Sequence, residues 1–76
     1  MKVNIKLDSI DKVREFVNTV NRFTSDFDLI SGRYVIDAKS IMGIFSLDLS
    51  KPLTLEIHEN NNEKEALLEA LKPFIS

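Results

Sequence analysis

Lys39-Ser40-Ile41-Met42-Gly43-Ile44-Phe45-Ser46-Leu47 is the stretch on which the reading of this chain turns. Ser40 stands directly before an apolar run, where its hydroxyl can accept from the orphan amides that open a helix. At 3.6 residues per turn the segment makes about two turns. Ile41, Met42, Ile44, Phe45 and Leu47 are too many apolar groups for so short a helix to hide beneath itself. Helical spacing directs Ile44 and Leu47 inward. At least one of Ile41, Met42 and Phe45 is therefore expected to face water, and exposed apolar patches mark docking surfaces.

The segments on either side follow other periods. Residues 1–7 alternate, with Val3, Ile5 and Leu7 on one face and Lys2, Asn4 and Lys6 on the other, which predicts a half-buried strand. Asp8 or Ser9 then caps a helix whose stripe is Ile10, Val13, Phe16, Val17, Val20 and Phe23. Strands over residues 27–30 and 33–37 flank Ser31-Gly32 as a hairpin. Beyond the short helix, Pro52 marks the entry to a fourth strand in which Leu53, Leu55 and Ile57 alternate with Thr54, Glu56 and His58. Asn60-Asn61-Asn62 reads as a turn, and Asn62 with Glu65 as the cap pair of a last helix that buries Leu67, Leu68, Leu71, Phe74 and Ile75.

The order is strand, helix, strand, strand, helix, strand, helix. Strands with one apolar and one polar face suit a four-stranded antiparallel sheet covered on a single side. The fold class is α+β, βαββαβα, an open-faced sandwich with its helices on one face.

Composition excludes several functions. Seventy-six residues suit one domain spanning residues 1–76 with a modest core. Hydrophobic content of 43% with 29% charged residues is that of a globular chain. The formal net charge is −2 and the basic residues are scattered, so nucleic acid is not an expected ligand. With no cysteine, thiol nucleophiles and cysteine-based metal sites are excluded. There is no glycine-rich phosphate loop and no second histidine to share a metal, so neither catalysis, a cofactor nor a metal is expected. No signal-peptide core and no apolar run long enough to span a bilayer are present, so the expectation is a cytoplasmic protein without membrane insertion.

Residues 39–43, continuing through Ser46 and Leu47, resemble the opening of the second helix of HPr, the histidine phosphocarrier of the bacterial phosphoenolpyruvate-dependent sugar phosphotransferase system. Element order and length agree over essentially the whole chain, while the residue-level likeness is confined to residues 39–47. The resemblance implies a regulatory phosphoacceptor at Ser40, modified by HPr kinase. It implies docking of Enzyme I, that kinase or a transcriptional regulator through Ile41, Met42 and Phe45.

The family's carrier histidine, with its arginine and proline, has no counterpart here. Counted back from Ser40, Ser9 falls where the histidine stands, Asp11 where the arginine stands and Lys12 where the proline stands. This register needs one deletion and one insertion in the intervening loop. A serine hydroxyl cannot accept and pass on phosphate as a labile imidazole adduct, and Asp8 and Asp11 repel a dianion. Carboxylates at a helix start instead stabilise the helix, by about 0.3–1 kcal/mol each. The chain thus resembles a carrier-histidine-lacking member of the family, of the kind involved in catabolite repression.

Other residues admit plain readings beside the functional ones. His58, between polar strand positions and an Asn-rich turn, reads as a solvated surface residue; the alternative is a relocated phosphoacceptor. Ser40 reads as a structural cap that can also carry phosphate. Arg14 and Asn21 read either as part of a solvated helix face or as a polar rim around the patch. Three functions follow. The leading one is a regulatory protein-binding module of the phosphotransferase system that is not a histidine phosphocarrier. The others are an interaction module on the same scaffold unrelated to sugar transport, and a phosphocarrier with a displaced acceptor.

Overall fold

The alternating segments pair into a four-stranded antiparallel sheet in the computed structural model of the chain, which describes residues 1–60 and 62–75. The strands are β1 (Lys2–Ile5), β2 (Asp26–Ser31), β3 (Tyr34–Asp37) and β4 (Leu53–His58), ordered β1-β4-β2-β3. Register follows the period of the side chains. Leu55 faces Val3 on one side and Leu29 on the other, and Leu29 faces Ile36, so one apolar row crosses the whole sheet. The adjacent row, Lys2, Glu56, Asp28 and Asp37, lies on the opposite face, which is left open.

Helices α1 (Ile10–Val20), α2 (Ile41–Phe45) and α3 (Lys64–Leu71) cover the apolar face, and a 3₁₀ turn (Lys72–Phe74) follows α3. Val13, Phe16 and Val20 of α1 meet Leu67 and Leu71 of α3 and the sheet residues Ile5, Phe27, Leu29, Leu53, Leu55 and Ile57 in one core. Phe16 and Phe74 pack edge to face, with ring centroids 5.5 Å apart, a geometry the aromatic quadrupole favours. Beyond β1 the last segment closes the sheet edge. Lys6 N–H donates to the Phe74 carbonyl at 2.8 Å, and Ile5 bridges to Ile75. Covering an edge strand in this way blunts its capacity to pair with another chain.

Gly32 and Arg33 connect β2 to β3. Positive φ falls on Gly32 (59°) and not on Arg33, the sign pattern of a type II′ hairpin turn, which favours glycine first.

The structure corrects the sequence reading in four places. The first strand ends at Ile5 instead of residue 7, although Leu7 is still buried. Ile10 is 60% exposed. At 3.6 residues per turn it lies roughly 90° from the mean direction of Val13, Phe16 and Val20, beyond the edge of the buried stripe. Ile75 is 43% exposed because the backbone becomes extended after the 3₁₀ turn. The cap of α3 is Glu63, without a side-chain cap bond, so the Asn62–Glu65 pair does not form. Asn62 has φ 55° and reverses the chain before the helix begins. The expected turn over Asn60, Asn61 and Asn62 includes Asn61, which lies outside the described residues.

Glu63 has another task. Its Oε1 accepts from the amide and hydroxyl of Thr24 at 3.0 and 2.9 Å and from those of Ser25 at 3.0 and 2.9 Å. One carboxylate thereby ties the loop after α1 to the start of α3. Desolvation alone would raise its pKa, but the bonds from Ser25 and Thr24 outweigh it and hold it below the ordinary 4.5. A depressed value means stability that is present above 4.5 and lost as pH falls through the folded value. Thermal melts should therefore show Glu63→Gln less stable than the natural chain near neutrality, with the gap narrowing below pH 4.5. A gap that stays constant into acid contradicts this assignment.

Candidate functional site

Ser40 caps α2 as its position before the apolar run requires. Its Oγ accepts from the Gly43 amide at 3.3 Å and its carbonyl from the Ile44 amide at 3.1 Å. The approach is held from the other side. The Ser40 amide donates to the Asp37 carbonyl at 3.0 Å, and the Lys39 amide to Asp37 Oδ1 at 2.9 Å. Lys39 Nζ donates to the Phe23 carbonyl at 2.9 Å and stands 5.6 Å above the Phe27 ring. Gly43 lets the helix lie close on β3, since a Cβ there would come within 3.3 Å of Ser40 Oγ and 3.4 Å of Ile36 Cδ1.

Five residues of helix bury one side only. Ile44 is fully buried, and Ile41 and Leu47 pack against the core at partial exposure. Met42 and Phe45 do not fit beneath and are 77% and 43% exposed.

The start of α1 is built from short polar groups. Ser9 has the extended backbone of a cap (φ −148°, ψ 159°), and its Oγ accepts from the Lys12 amide at 3.1 Å. Asp11 follows in the first turn, and Asp8 precedes. Lys12 Nζ leaves this end to bond the Pro73 carbonyl at 3.0 Å.

Packing brings the two helices together. A concavity of about 380 Å³ between the start of α1 and the end of α2 is lined by Asp8, Ser9, Ile10, Phe45, Leu49 and Ser50. Ile10 and Leu49 were not anticipated as surface residues of this region. The signal was available for Ile10, which sits on the flank of its stripe. For Leu49 there was none, because its place depends on how the α2–β4 loop folds back. Arg14 and Asn21 are exposed but line no part of this concavity. The Asn21 side chain closes α1 by donating to the Val17 carbonyl at 2.8 Å.

Near the same edge, the Ser50 hydroxyl and amide donate to Asp48 Oδ1 at 2.6 and 3.1 Å. Those bonds, with Lys51 nearby, hold the Asp48 carboxyl below its ordinary value.

His58 lies at the end of β4 on the open face, away from the helices. Its Nε2 is 2.9 Å from Asp28 Oδ2. This partner was missed, although cross-strand register supplies it: Asp26 faces His58, and Asp28 is the next residue on that face. Among the described residues no group of three or more His, Asp or Glu is placed to hold a metal ion. Nor is any helix among them long and apolar enough to cross a membrane.

Residues 12–76 match the family described as the PTS HPr component phosphorylation site. The chain is 37% identical over 60 residues to the HPr-like protein Crh of Halalkalibacterium halodurans, covering 79% of this chain and 71% of that protein. Its identity to the HPr-like protein Crh of Bacillus subtilis is 35%, with the same coverage of both chains. Among solved structures, HPr-C-His from Thermoanaerobacter tengcongensis superposes with a TM-score of 0.75 at 27% identity, over 93% of this chain and 85% of that one. The phosphocarrier protein HPr of Bacillus anthracis does so with a TM-score of 0.71 at 28% identity, over 100% and 94%. The sheet order, the serine-capped second helix and a match over residues 12–76 agree: the chain belongs to the HPr family of the phosphotransferase system and is similar to the HPr-like protein Crh.

Proposed function

We propose that this chain is a regulatory, protein-binding member of the HPr family that works in the cytoplasm and does not carry phosphate on histidine. The start of α1 carries the reading. A serine hydroxyl takes up the Lys12 amide there, two aspartates flank it, and the chain's only histidine lies on the open face of the sheet. Counted back from Ser40, Ser9 falls at the position of the family's carrier histidine and Asp11 at that of its arginine. A phosphoryl group arriving here meets no imidazole nitrogen and is repelled by carboxylates.

Function passes to the surface of α2. Met42 and Phe45, with Ile41 beneath them, are the docking residues for a protein partner, and Arg14 and Asn21 lie on its polar margin. Enzyme I, HPr kinase and a transcriptional regulator are the candidate partners. Ser40 is the regulatory phosphoacceptor. Its phosphate would add about −1.5 to −2 charges at a helix start, where negative charge is tolerated, and next to Met42, where it changes what can dock. The protein acts by binding and not by catalysis.

Calorimetric titration with purified Enzyme I, HPr kinase and an HPr-binding transcriptional regulator tests this reading. Phe45→Ala and Met42→Ala should each weaken binding of the cognate partner by roughly tenfold or more. Melting should be little changed by Met42→Ala, whose side chain is 77% exposed, and lowered modestly by Phe45→Ala, whose ring is more than half covered, with both variants still folded at the titration temperature. Binding that survives both substitutions would place the docking surface elsewhere.

A further inference from the structure

The tip of the β2–β3 hairpin and the loop between α2 and β4 enclose a second concavity of about 780 Å³. It shares no lining residue with the Ile10–Phe45 concavity. Its volume falls within the range of about 300–1,000 Å³ typical of small-molecule sites. Half-buried Ile36 and Leu47 contribute apolar surface, and Tyr34, 65% exposed, presents its ring.

The charges are what mark it. The chain as a whole carries −2, yet this concavity is lined by the cations Arg33 and Lys51 against the single carboxylate Asp48. Neither cation forms an ion pair or hydrogen bond within the protein among the described residues. Asp48 lies close enough to Lys51 to feel its charge but forms no direct ion pair with either cation, and two cations against one carboxylate leave the lining net positive. Held at Oδ1 by the Ser50 hydroxyl and amide, Asp48 is fixed as an ionised acceptor, with Oδ2 free of hydrogen bonds among the described residues. Arg33 is presented by the Gly32 turn, whose backbone is set by the hairpin.

We propose that this concavity binds a small phosphate monoester carried on a hydroxylated ring. Arg33 and Lys51 take the phosphate dianion, Asp48 accepts from a ring hydroxyl, and Tyr34, Ile36 and Leu47 pack the ring. A guanidinium grips phosphate through paired N–H donors, and an ammonium adds a second point charge. Two unpaired cations match a dianion; a monocarboxylate would leave one of them unsatisfied. Sugar phosphates and nucleoside monophosphates share this chemistry.

Titration of the full chain by ¹⁵N NMR, at constant ionic strength, distinguishes them. The probes are glucose 6-phosphate, adenosine 5′-monophosphate, inorganic phosphate and glucose. The expected result is saturable shifts over residues 31–36 and 46–51 with one or both ring phosphates, weaker binding of inorganic phosphate and no response to glucose. A response to glucose 6-phosphate alone assigns a sugar source, and one to the nucleotide alone assigns a nucleotide source. Arg33→Gln and Lys51→Gln, at exposed positions and with folding to be checked by circular dichroism, should each weaken binding about tenfold or more. Asp48→Asn should weaken the ring phosphates and spare inorganic phosphate. The proposal is overturned if neither ring phosphate gives saturable shifts, if inorganic phosphate binds as tightly as both, or if binding survives loss of either cation.

Discussion

Replacing Phe16 by alanine is expected to destabilise the fold by about 3–5 kcal/mol, the usual range for truncating a buried phenylalanine. Phe16 is fully buried at the junction of α1, the sheet and the C-terminal turn, where it packs edge to face on Phe74. The substitution removes both the buried area and the ring contact, and leaves a cavity against elements joined mainly through this core. For a domain of this size the loss corresponds to a fall in melting temperature of about 12–40 °C. Total stabilities of small domains are about 5–15 kcal/mol, so a large unfolded fraction at 37 °C would be consistent with the same result. Thermal and urea unfolding measure it directly. Met42→Ala is the control, with a change within about 0.5 kcal/mol expected for an exposed side chain. Comparable losses from the two substitutions would mean that the core has been misplaced.

The second large effect concerns phosphate transfer. Ser9→His alone is expected to leave the chain unable to take a phosphoryl group from phosphoenolpyruvate through Enzyme I. Ser9→His combined with Asp11→Arg should admit it. The helix start supplies favourable charge, equivalent to roughly +0.5. A dianion about 5 Å from one carboxylate nevertheless meets a repulsion of about 2–7 kcal/mol at effective dielectric constants between 80 and 20. Arginine at residue 11 reverses the sign of that interaction. Losing the Ser9 cap costs about 1 kcal/mol in both variants and cancels from the comparison. Acid-labile phosphate measured after a timed exposure separates them. Equal labelling of the single and double variants would show that the carboxylate is not what bars transfer.

Much of this architecture was legible in local pattern. Leu53, Leu55 and Ile57 alternate, and they form the buried face of β4. Val13, Phe16 and Val20 recur at helical spacing, and they are the buried side of α1. Ser9 and Ser40 each stand before an apolar run, and each caps a helix through its hydroxyl. These features depend on periods and caps, which a few neighbouring residues determine.

The misreadings share a different cause. The Asn62–Glu65 pair fits a capping box, but the competing partners Thr24 and Ser25, far away in sequence, claim Glu63 and shift where α3 begins. Ile75 is apolar and near helical phase, yet the chain leaves the helix at the 3₁₀ turn. His58 reads as solitary until strand pairing sets Asp28 beside it. The candidate surface was half visible for the same reason. Met42 and Phe45 could be recognised as surplus to what α2 can bury. That Phe45 shares a concavity with Ser9 and Ile10 depends on how α1 and α2 pack, which no local pattern encodes.

The central claim, that regulation at Ser40 has replaced transfer through histidine, is tested most directly by supplying phosphate by two separate routes. The chain is incubated with ATP and HPr kinase in one reaction and with phosphoenolpyruvate and Enzyme I in the other, and any phosphate is located by mass spectrometry. The account predicts acid-stable phosphate on Ser40 from ATP, lost in Ser40→Ala, and no label from phosphoenolpyruvate. Acid-labile phosphate acquired from phosphoenolpyruvate, on His58 or on any other residue, would contradict it.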